Sequence, residues 1–389
     1  MSRILIDGRF VGIGESMTRY CLEALSGILK LDDKNDYTLL IRPIGKKELK
    51  WYPEIEKAPN LKIEIKDIKH YSFGEQTQLL KYLNREKFDL VHFIQFNHPV
   101  RYRGKFIVTI HDLTLINHSG SNPIKRLAFL KVMRSAAKNS QKVISISKAT
   151  ENDIIYTLRI PKNKIRTIYH GVDTERFNIR AKGETEILNK FRQKNKIEND
   201  YLLYVGAWKK HKNLSTLLLA YEKYLKEDKK FVHLVLVGKI DEKEKEVLDQ
   251  IGRINKTFAP DSKLPTPIIL AGPIDVRSEE LPVIYAGALA YIIPSFAEGF
   301  GWPPLEAMAS GTPVISSDIS SMPEILGEGA YYFNPKNADD LTKAIDRVIS
   351  DRSLRENLIK KGLLQVQKYD WSKTAKETLA VYREVLNQN

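Results

Sequence analysis

Glu298 and Glu306 bracket the segment EGFGWPPLE, in which Gly299 and Gly301 permit a tight turn and Pro303 and Pro304 follow directly. Proline suits the first turn of a helix, where its missing N–H costs nothing, so the spacing predicts a helix that begins near Trp302. Just upstream, the apolar run Ala290–Ile293 predicts a buried strand, which places the turn at the carboxyl edge of a sheet, where open α/β folds bind ligands. The amides of Phe300, Gly301 and Trp302 would point at whatever lies there, and unpaired N–H groups at a helix start favour a phosphate. Carboxylates touching that phosphate would repel it. Set on either side of it, they would instead accept hydrogen bonds from hydroxyls, and a phosphate between two hydroxyl-bearing rings is the chemistry of a nucleotide sugar. Taken as isolated residues, the two glutamates also fit a plainer reading: a solvated loop residue and a first-turn glutamate steadied by the helix dipole.

Such a turn needs a sheet behind it. Short apolar runs suited to strands recur along the whole chain: Ile4–Ile6, Tyr37–Ile41, Leu61–Ile65, Leu90–Phe93, Phe106–Ile110, Val143–Ile146 and Ile165–Tyr169, then Tyr201–Val205, His233–Val237, Ile268–Ala271, Ala290–Ile293, Val314–Ser316 and Ala330–Phe333. Helical patterns separate them, and strands alternating with helices imply parallel sheets covered on both faces. Two such series predict two Rossmann-like domains, with a polar linker and surface helix over roughly Asp173–Asp200.

The composition suits a soluble two-domain enzyme of 389 residues, 42% hydrophobic and 28% charged. The single cysteine, Cys21, excludes an intramolecular disulfide and a cysteine-based metal site, and a reducing compartment is expected. No signal peptide is expected from MSRILIDGRF. The longest uncharged run, Leu281–Ala297, is broken by Pro282 and Pro294 and reads as helix, turn and strand rather than a membrane span. The net charge of +14 is uneven: residues 1–180 hold 32 Lys and Arg against 19 Asp and Glu, a net of +13, and the remainder holds 30 against 29. Arg101, Arg103 and Lys105 cluster, and Lys131, Arg134 and Lys138 share a helix face in a segment that also carries Leu127, Leu130 and Met133. This is either a solvated basic face or a surface for an anionic acceptor or membrane. A nucleic-acid role is not expected, since no recognition motif accompanies the charge.

Three further sites could do chemistry. Gly12 and Gly14 follow the first strand and would let backbone approach a ligand. The run GIGESM carries Met17 where a full dinucleotide fingerprint has its last glycine, so a dinucleotide site is weakly supported. Lys212 closes the KKHK run after the YVG strand, beside a helix expected to begin at Asn213 or Leu214. His111 and Asp112 stand at the carboxyl end of the strand Phe106–Ile110, facing a ligand or merely orienting a loop. No Asp-x-Asp triplet is present to clamp a diphosphate-bound metal.

The E-x7-E run of Glu298 and Glu306 resembles the signature of retaining glycosyltransferases of family 4, and the likeness covers most of the chain. GRFVGIGESMTRYCLEAL resembles the family's N-terminal glycine loop and helix, TIHDLTLINH its His-Asp segment, and VISISKATENDI with IYHGVD the end of the first domain. YVGAWKKHKNLSTLL, LAGPIDVRSEELPVIYAGALAYIIPS and SSDISSMPEILGEGAYYFNP resemble successive parts of the second. The chain departs from the family at Ala207 and His211, where many members carry arginine, and Lys209 or Lys210 would have to supply that charge.

The resemblance implies an α/β protein of GT-B architecture, two Rossmann-like parallel-sheet domains facing a cleft. It implies an acceptor domain over 1–172, a donor domain over 173–370, and a terminal helix over 371–389 crossing back to the first. On the donor side, Glu298, Gly299, Phe300 and Gly301 would hold the sugar, Glu306 the ribose, and Lys212 the diphosphate. Gly272, Pro273 and Ile274 would meet the base edge, with Gly14, Gly206, Lys209 and Leu305 completing the donor site. His111, Glu298 and Lys212 are the expected catalytic residues; Gly12, His111 and Asp112 would meet the acceptor.

The resemblance further implies front-face, metal-independent transfer of a hexose, GDP-mannose favoured as donor over a UDP-sugar, with no cofactor beyond this co-substrate. A glycan or lipid-linked acceptor in surface-polysaccharide assembly is expected, and a cytoplasmic location, at the inner membrane face if the basic half meets anionic lipid. A related epimerase or phosphorylase, or a non-catalytic sugar-nucleotide module, remains as an alternative. In WSKTAKETLAVYREVL, Ala375, Leu379, Tyr382 and Leu386 share a helix face and Ser372 is the expected N-cap.

Overall fold

The computed structural model describes residues 1–117, 123–227, 229–261, 264–275 and 277–387. His118 and Val276, which fall within quoted family segments, lie outside the described residues. The described chain divides into two compact units, one of residues 1–117, 123–171 and 369–387, the other of residues within 172–368.

The first unit contains strands β1 (Arg3–Asp7), β2 (Asp36–Ile41), β3 (Leu61–Ile65), β4 (Leu90–Phe93), β5 (Phe106–Ile110), β6 (Lys142–Ser145) and β7 (Ile165–Thr167). They form a sheet in the order β3-β2-β1-β4-β5-β6-β7. The second unit contains β8 (Tyr201–Val205), β9 (His233–Val237), β10 (Ile268–Gly272), β11 (Ala290–Ile293), β12 (Val314–Ser317) and β13 (Ala330–Phe333), ordered β10-β9-β8-β11-β12-β13. Every pairing among the described residues is parallel. The central strands are apolar on both faces because helices cover both: β4, β5, β9 and β11 are buried from end to end. Each apolar run read from the sequence is a strand, with ends shifted by a residue or two where a polar residue such as Lys142 opens the ladder. Each sheet reverses its strand order once, between β1 and β4 in the first and between β8 and β11 in the second. Loops leaving the carboxyl ends of those pairs diverge and leave a crevice.

The helix Trp371–Leu386 packs within the first unit. Its Ala375 lies against Gly27 of the helix Glu15–Leu31, where a Cβ at residue 27 would sit only 2.6 Å from that of Ala375. Tyr382 places its hydroxyl 2.7 Å from His92 Nδ1, His92 Nε2 is 2.8 Å from Thr109 Oγ1, and Thr109 Oγ1 is 2.8 Å from the Tyr20 hydroxyl. This buried chain of hydrogen bonds ties the terminal helix to β4, β5 and the first long helix. The apolar face is wider than Ala375, Leu379 and Tyr382, since Val381 and Val385 are also buried, while Leu386 is only half-buried. The N-cap is Asp370 rather than Ser372: the Asp370 carboxylate accepts the Ser372 amide at 2.8 Å and its hydroxyl at 2.7 Å. Aspartate already stands at the extended position that a cap requires, one residue ahead of Trp371.

Among the described residues no helix is long and apolar enough to cross a membrane. The basic face falls on the helix Pro123–Asn139, where Met133, Ala136 and Ala137 are buried and Lys131, Arg134 and Lys138 are exposed. Leu127 is exposed with them, at 51%.

Candidate active site

The loops after β8 and β11 meet at the reversal point of the second sheet and carry the predicted charges Lys212 and Glu298. Lys212 Nζ donates to Glu298 Oε1 at 2.7 Å and to Oε2 at 2.9 Å. Ser295, which ends the chain's exit from β11, donates its hydroxyl to Glu298 Oε1 at 2.6 Å. The pair is largely sheltered, with side-chain exposures of 21% for Lys212 and 11% for Glu298.

Backbone bonds hold both loops together. The Phe296 amide donates to the His211 carbonyl at 2.7 Å, so the KKHK turn and the turn before Glu298 form one body. Asn213, left-handed at φ +58, donates its side-chain amide to the carbonyls of Pro294 and Pro335, each at 2.9 Å. Asparagine tolerates that conformation, and its buried amide converts the bend into a clamp that ends the 3₁₀ turn Lys210–Lys212 and starts the helix Leu214–Lys226. From the other side, the hydroxyls of Ser320 and Ser321 donate to the Glu298 carbonyl at 2.8 and 2.9 Å.

Gly301 then turns the chain into the helix Trp302–Ala309 with φ +96, and a Cβ there would lie 2.6 Å from Met322 Cε, so both backbone and space demand glycine. The helix start brings the positive end of its dipole to the same sheet edge. Phe300 and Leu305 are buried, so their side chains pack the core. Glu306 is the fifth residue of this helix, beyond its first turn, and is 3% exposed. It accepts the Tyr285 hydroxyl at 3.1 Å, which fixes a carboxylate beneath the turn rather than in solvent.

Gly206 and Gly272, also predicted, lie in a row with Gly238, which the sequence reading did not single out. The Gly238 amide donates to Gly272 O at 2.9 Å, and a Cβ at Gly238 would fall 2.1 Å from Gly206 O. Only glycine fits there, and the signal was its position directly after β9, matching Gly206 after β8. Pro273 is exposed and Ile274 half-buried beyond β10; Ala207, Lys209 and Lys210 are exposed on the turn after β8. Ser295, Asn213, Ser320 and Ser321 were also missed, because short polar residues after strands carry no distinguishing periodicity.

The first unit holds the remaining predicted residues. His111, expected at the carboxyl end of β5 to face a ligand or to orient a loop, stands there 4% exposed, packed edge-on against the Tyr20 ring at 4.9 Å. Its Nε2 lies 2.9 Å from the Ile94 carbonyl, so Nε2 carries the proton and Nδ1 the lone pair. Burial pushes the imidazole down to about 4, which keeps it neutral at physiological pH. Asp112 is half-buried and accepts the Thr114 amide at 2.8 Å and also the Thr114 hydroxyl, opening the short helix Thr114–Asn117.

Gly12 does have φ +81, but the close approach it permits is to the chain itself: a Cβ would meet Ile44 O at 2.8 Å. Gly14 is exposed with open space around its Cβ position and caps the helix Glu15–Leu31.

Two Rossmann-like parallel sheets, each with its polar loops at the reversal of strand order, define a protein of the GT-B class. The model for glycosyl transferases group 1 matches residues 187–365, and that for glycosyltransferase family 4 matches residues 38–176. Both models describe glycosyltransferases, and together they span most of the chain. It is 27% identical over 359 residues to an uncharacterized glycosyltransferase of Methanocaldococcus jannaschii, covering 85% of this chain and 86% of that one. It is 29% identical over 283 residues to the O-antigen chain mannosyltransferase RfbU of Salmonella typhimurium, covering 69% of each. Among solved structures, the Anabaena protein HepE in complex with UDP-glucose superposes with a TM-score of 0.74 at 18% identity, over 99% of this chain and 100% of that one.

Proposed function

We propose that this chain transfers a hexose from a nucleoside-diphosphate sugar to a glycan or lipid-linked acceptor, with retention of anomeric configuration and without a metal ion. The observation that carries the reading is the sheltered Lys212–Glu298 pair at the reversal point of the second sheet, next to the start of the helix Trp302–Ala309. A diphosphate entering there would share the Lys212 ammonium and the helix dipole, and the sugar would take hydrogen bonds to Glu298 and to the Gly299–Gly301 backbone. The ribose would share the Glu306 carboxylate with Tyr285. Lys212 and the helix start would stabilise the departing diphosphate in the role a metal otherwise fills. A phosphate oxygen of the leaving diphosphate would accept the acceptor's proton as the new bond forms on the same face, so catalysis would rest on orientation and charge rather than a protein nucleophile.

Mannose is favoured as the sugar, and surface-polysaccharide assembly as the setting, by the likeness to an O-antigen mannosyltransferase. A UDP-sugar stands second, on the likeness to a protein solved with UDP-glucose. The exposed basic helix Pro123–Asn139, with Leu127 among its cations, supports an acceptor presented at an anionic membrane surface. A second reading, a nucleotide-sugar-binding module without turnover, draws on the small exposed Ala207 where many family members carry arginine.

A thermal-shift panel of GDP-mannose, UDP-glucose and related nucleotide sugars tests the donor class. A ligand at a hundred times its Kd stabilises by about 2.7 kcal/mol, and no shift with any nucleotide sugar would overturn the proposal. Donor consumption in an acceptor screen separates the enzyme from the module.

A further inference from the structure

The reversal point of the first sheet holds a second cluster, which the donor site leaves unused. Strand β3 lies outside β2, so the chain from β3 to β4 must pass the carboxyl ends of β2 and β1 on its way. Lys66 begins this crossing with a 2.9 Å bond from its amide to Ile41 O, and Glu75 ends it. Arg9, fully buried just beyond β1, donates to both carboxylate oxygens of Asp7 at 2.7 and 2.8 Å and to Glu75 at 3.2 Å. This ion triad fastens the crossing segment to β1, and Tyr71 with it.

Tyr71 stands at φ +53, a left-handed conformation that is a genuine outlier for a bulky side chain and collects where function requires it. The residue is 46% exposed, yet its ring is braced by Phe10, Phe96 and Phe129, with centroids 6.1, 6.0 and 5.4 Å away. Beside its hydroxyl lies Asn97, beyond β4 and only 1% exposed. Among the described residues the one polar neighbour of the Asn97 amide is that hydroxyl, and neither Oδ1 nor Nδ2 makes a hydrogen bond of full geometry. Buried amides are seldom left so, and an acceptor beside a donor matches two adjacent hydroxyls of a pyranose. The charge around the cluster is negative, since Arg9 is outnumbered by Asp7 and Glu75 and Asp112 also acts on Tyr71. That field disfavours a phosphate and suits a neutral polyol.

We propose that Tyr71 and Asn97 form the subsite for the terminal sugar of the acceptor, with the C–H face of the pyranose on the Tyr71 ring and two adjacent hydroxyls on the Asn97 amide. This rests on the acceptor half of the function proposed above. The test uses the full chain without donor and methyl glycosides of mannose, glucose and N-acetylglucosamine as probes, read by saturation-transfer NMR.

At least one glycoside should bind, Tyr71→Ala and Asn97→Leu should each weaken it at least tenfold, and Tyr71→Phe should keep most of the affinity. Asn97→Leu should also hold or raise the melting temperature, because it replaces a buried amide of poor hydrogen-bond geometry, whose one polar neighbour is the Tyr71 hydroxyl, by an apolar side chain of similar size. The proposal is overturned if wild type binds no glycoside, if the variants bind undiminished, or if Asn97→Leu loses stability together with binding. The nucleotide-sugar thermal shift, run in parallel, separates the two readings. A donor shift without glycoside binding refutes the subsite alone, and glycoside binding without a donor shift refutes the donor reading and leaves the subsite standing.

Discussion

Glu298→Gln should tighten the binding of a free nucleoside diphosphate while it slows sugar transfer, because Glu298 and a diphosphate compete for one ammonium. Lys212 Nζ spends two bonds, at 2.7 and 2.9 Å, on the Glu298 carboxylate. An ion pair that keeps some exposure is worth about 1 kcal/mol, so releasing Lys212 from it should improve affinity for GDP or UDP about fivefold. Glutamine retains the bond from Ser295, made at 2.6 Å in the wild type, and so keeps the loop in place. Transfer should still fall about ten- to a thousandfold, because the sugar loses a charged acceptor worth about 1.4–4 kcal/mol in the transition state. Lys212→Ala should lower transfer by a similar factor but weaken GDP and UDP. Isothermal titration of both nucleotides into wild type and the two variants, alongside initial rates, reads these opposite signs. If Glu298→Gln weakens the nucleotides as Lys212→Ala does, the competition argument fails; if neither variant changes binding or rate, the site is elsewhere.

Tyr382→Phe should destabilise the first unit by about 1–3 kcal/mol, since it leaves His92 Nδ1 buried without the hydroxyl it now meets at 2.7 Å. Unchanged hydrogen exchange in residues 1–170 would contradict that role for the terminal helix. Burial pushes His92 down to about 3 and both His98 and His111 to about 4, against an ordinary 6.5, so the unfolded chain binds protons the folded one refuses. Stability should therefore be intact above pH 6.5 and fall as the pH drops toward 4, by about 3 kcal/mol per histidine at the acid end; equal urea midpoints at pH 7 and pH 5 would refute this. Transfer should survive EDTA, as the missing Asp-x-Asp and the available Lys212 suggest. Complete loss on chelation, restored by Mg²⁺ or Mn²⁺, would contradict it.

The strands were legible because central parallel strands are buried on both faces, and runs such as Tyr201–Val205 and Ala290–Ile293 have no other economical use. Glu298 was legible from its spacing to Glu306 after the run Ala290–Ile293, and Lys212 from its place in the KKHK run after the YVG strand. Their direct pairing was not, because it depends on β11 lying beside β8, a contact between residues 86 apart in sequence. The serines that fix Glu298, and the clamp made by Asn213, are set by loop geometry that no periodicity encodes. His111 was placed correctly at the end of β5, but its burial comes from Tyr20, on a helix that packs back over the sheet. Tyr71 and Asn97 stayed hidden for a similar reason: a crossing loop has no repeat, and neither a positive φ nor a poorly bonded buried amide leaves a trace in residue type.

The central claim is transfer with retention, and the configuration of the product tests it most directly. GDP-mannose, whose sugar is α-linked, would be incubated with the protein and a panel of mannosyl, glucosyl and N-acetylglucosaminyl acceptors, and the anomeric one-bond carbon–proton coupling of any product read by NMR. The account predicts an α-linked product from wild type, its rate reduced at least tenfold in Lys212→Ala. A β-linked product, or a wild-type rate in that variant, would contradict it.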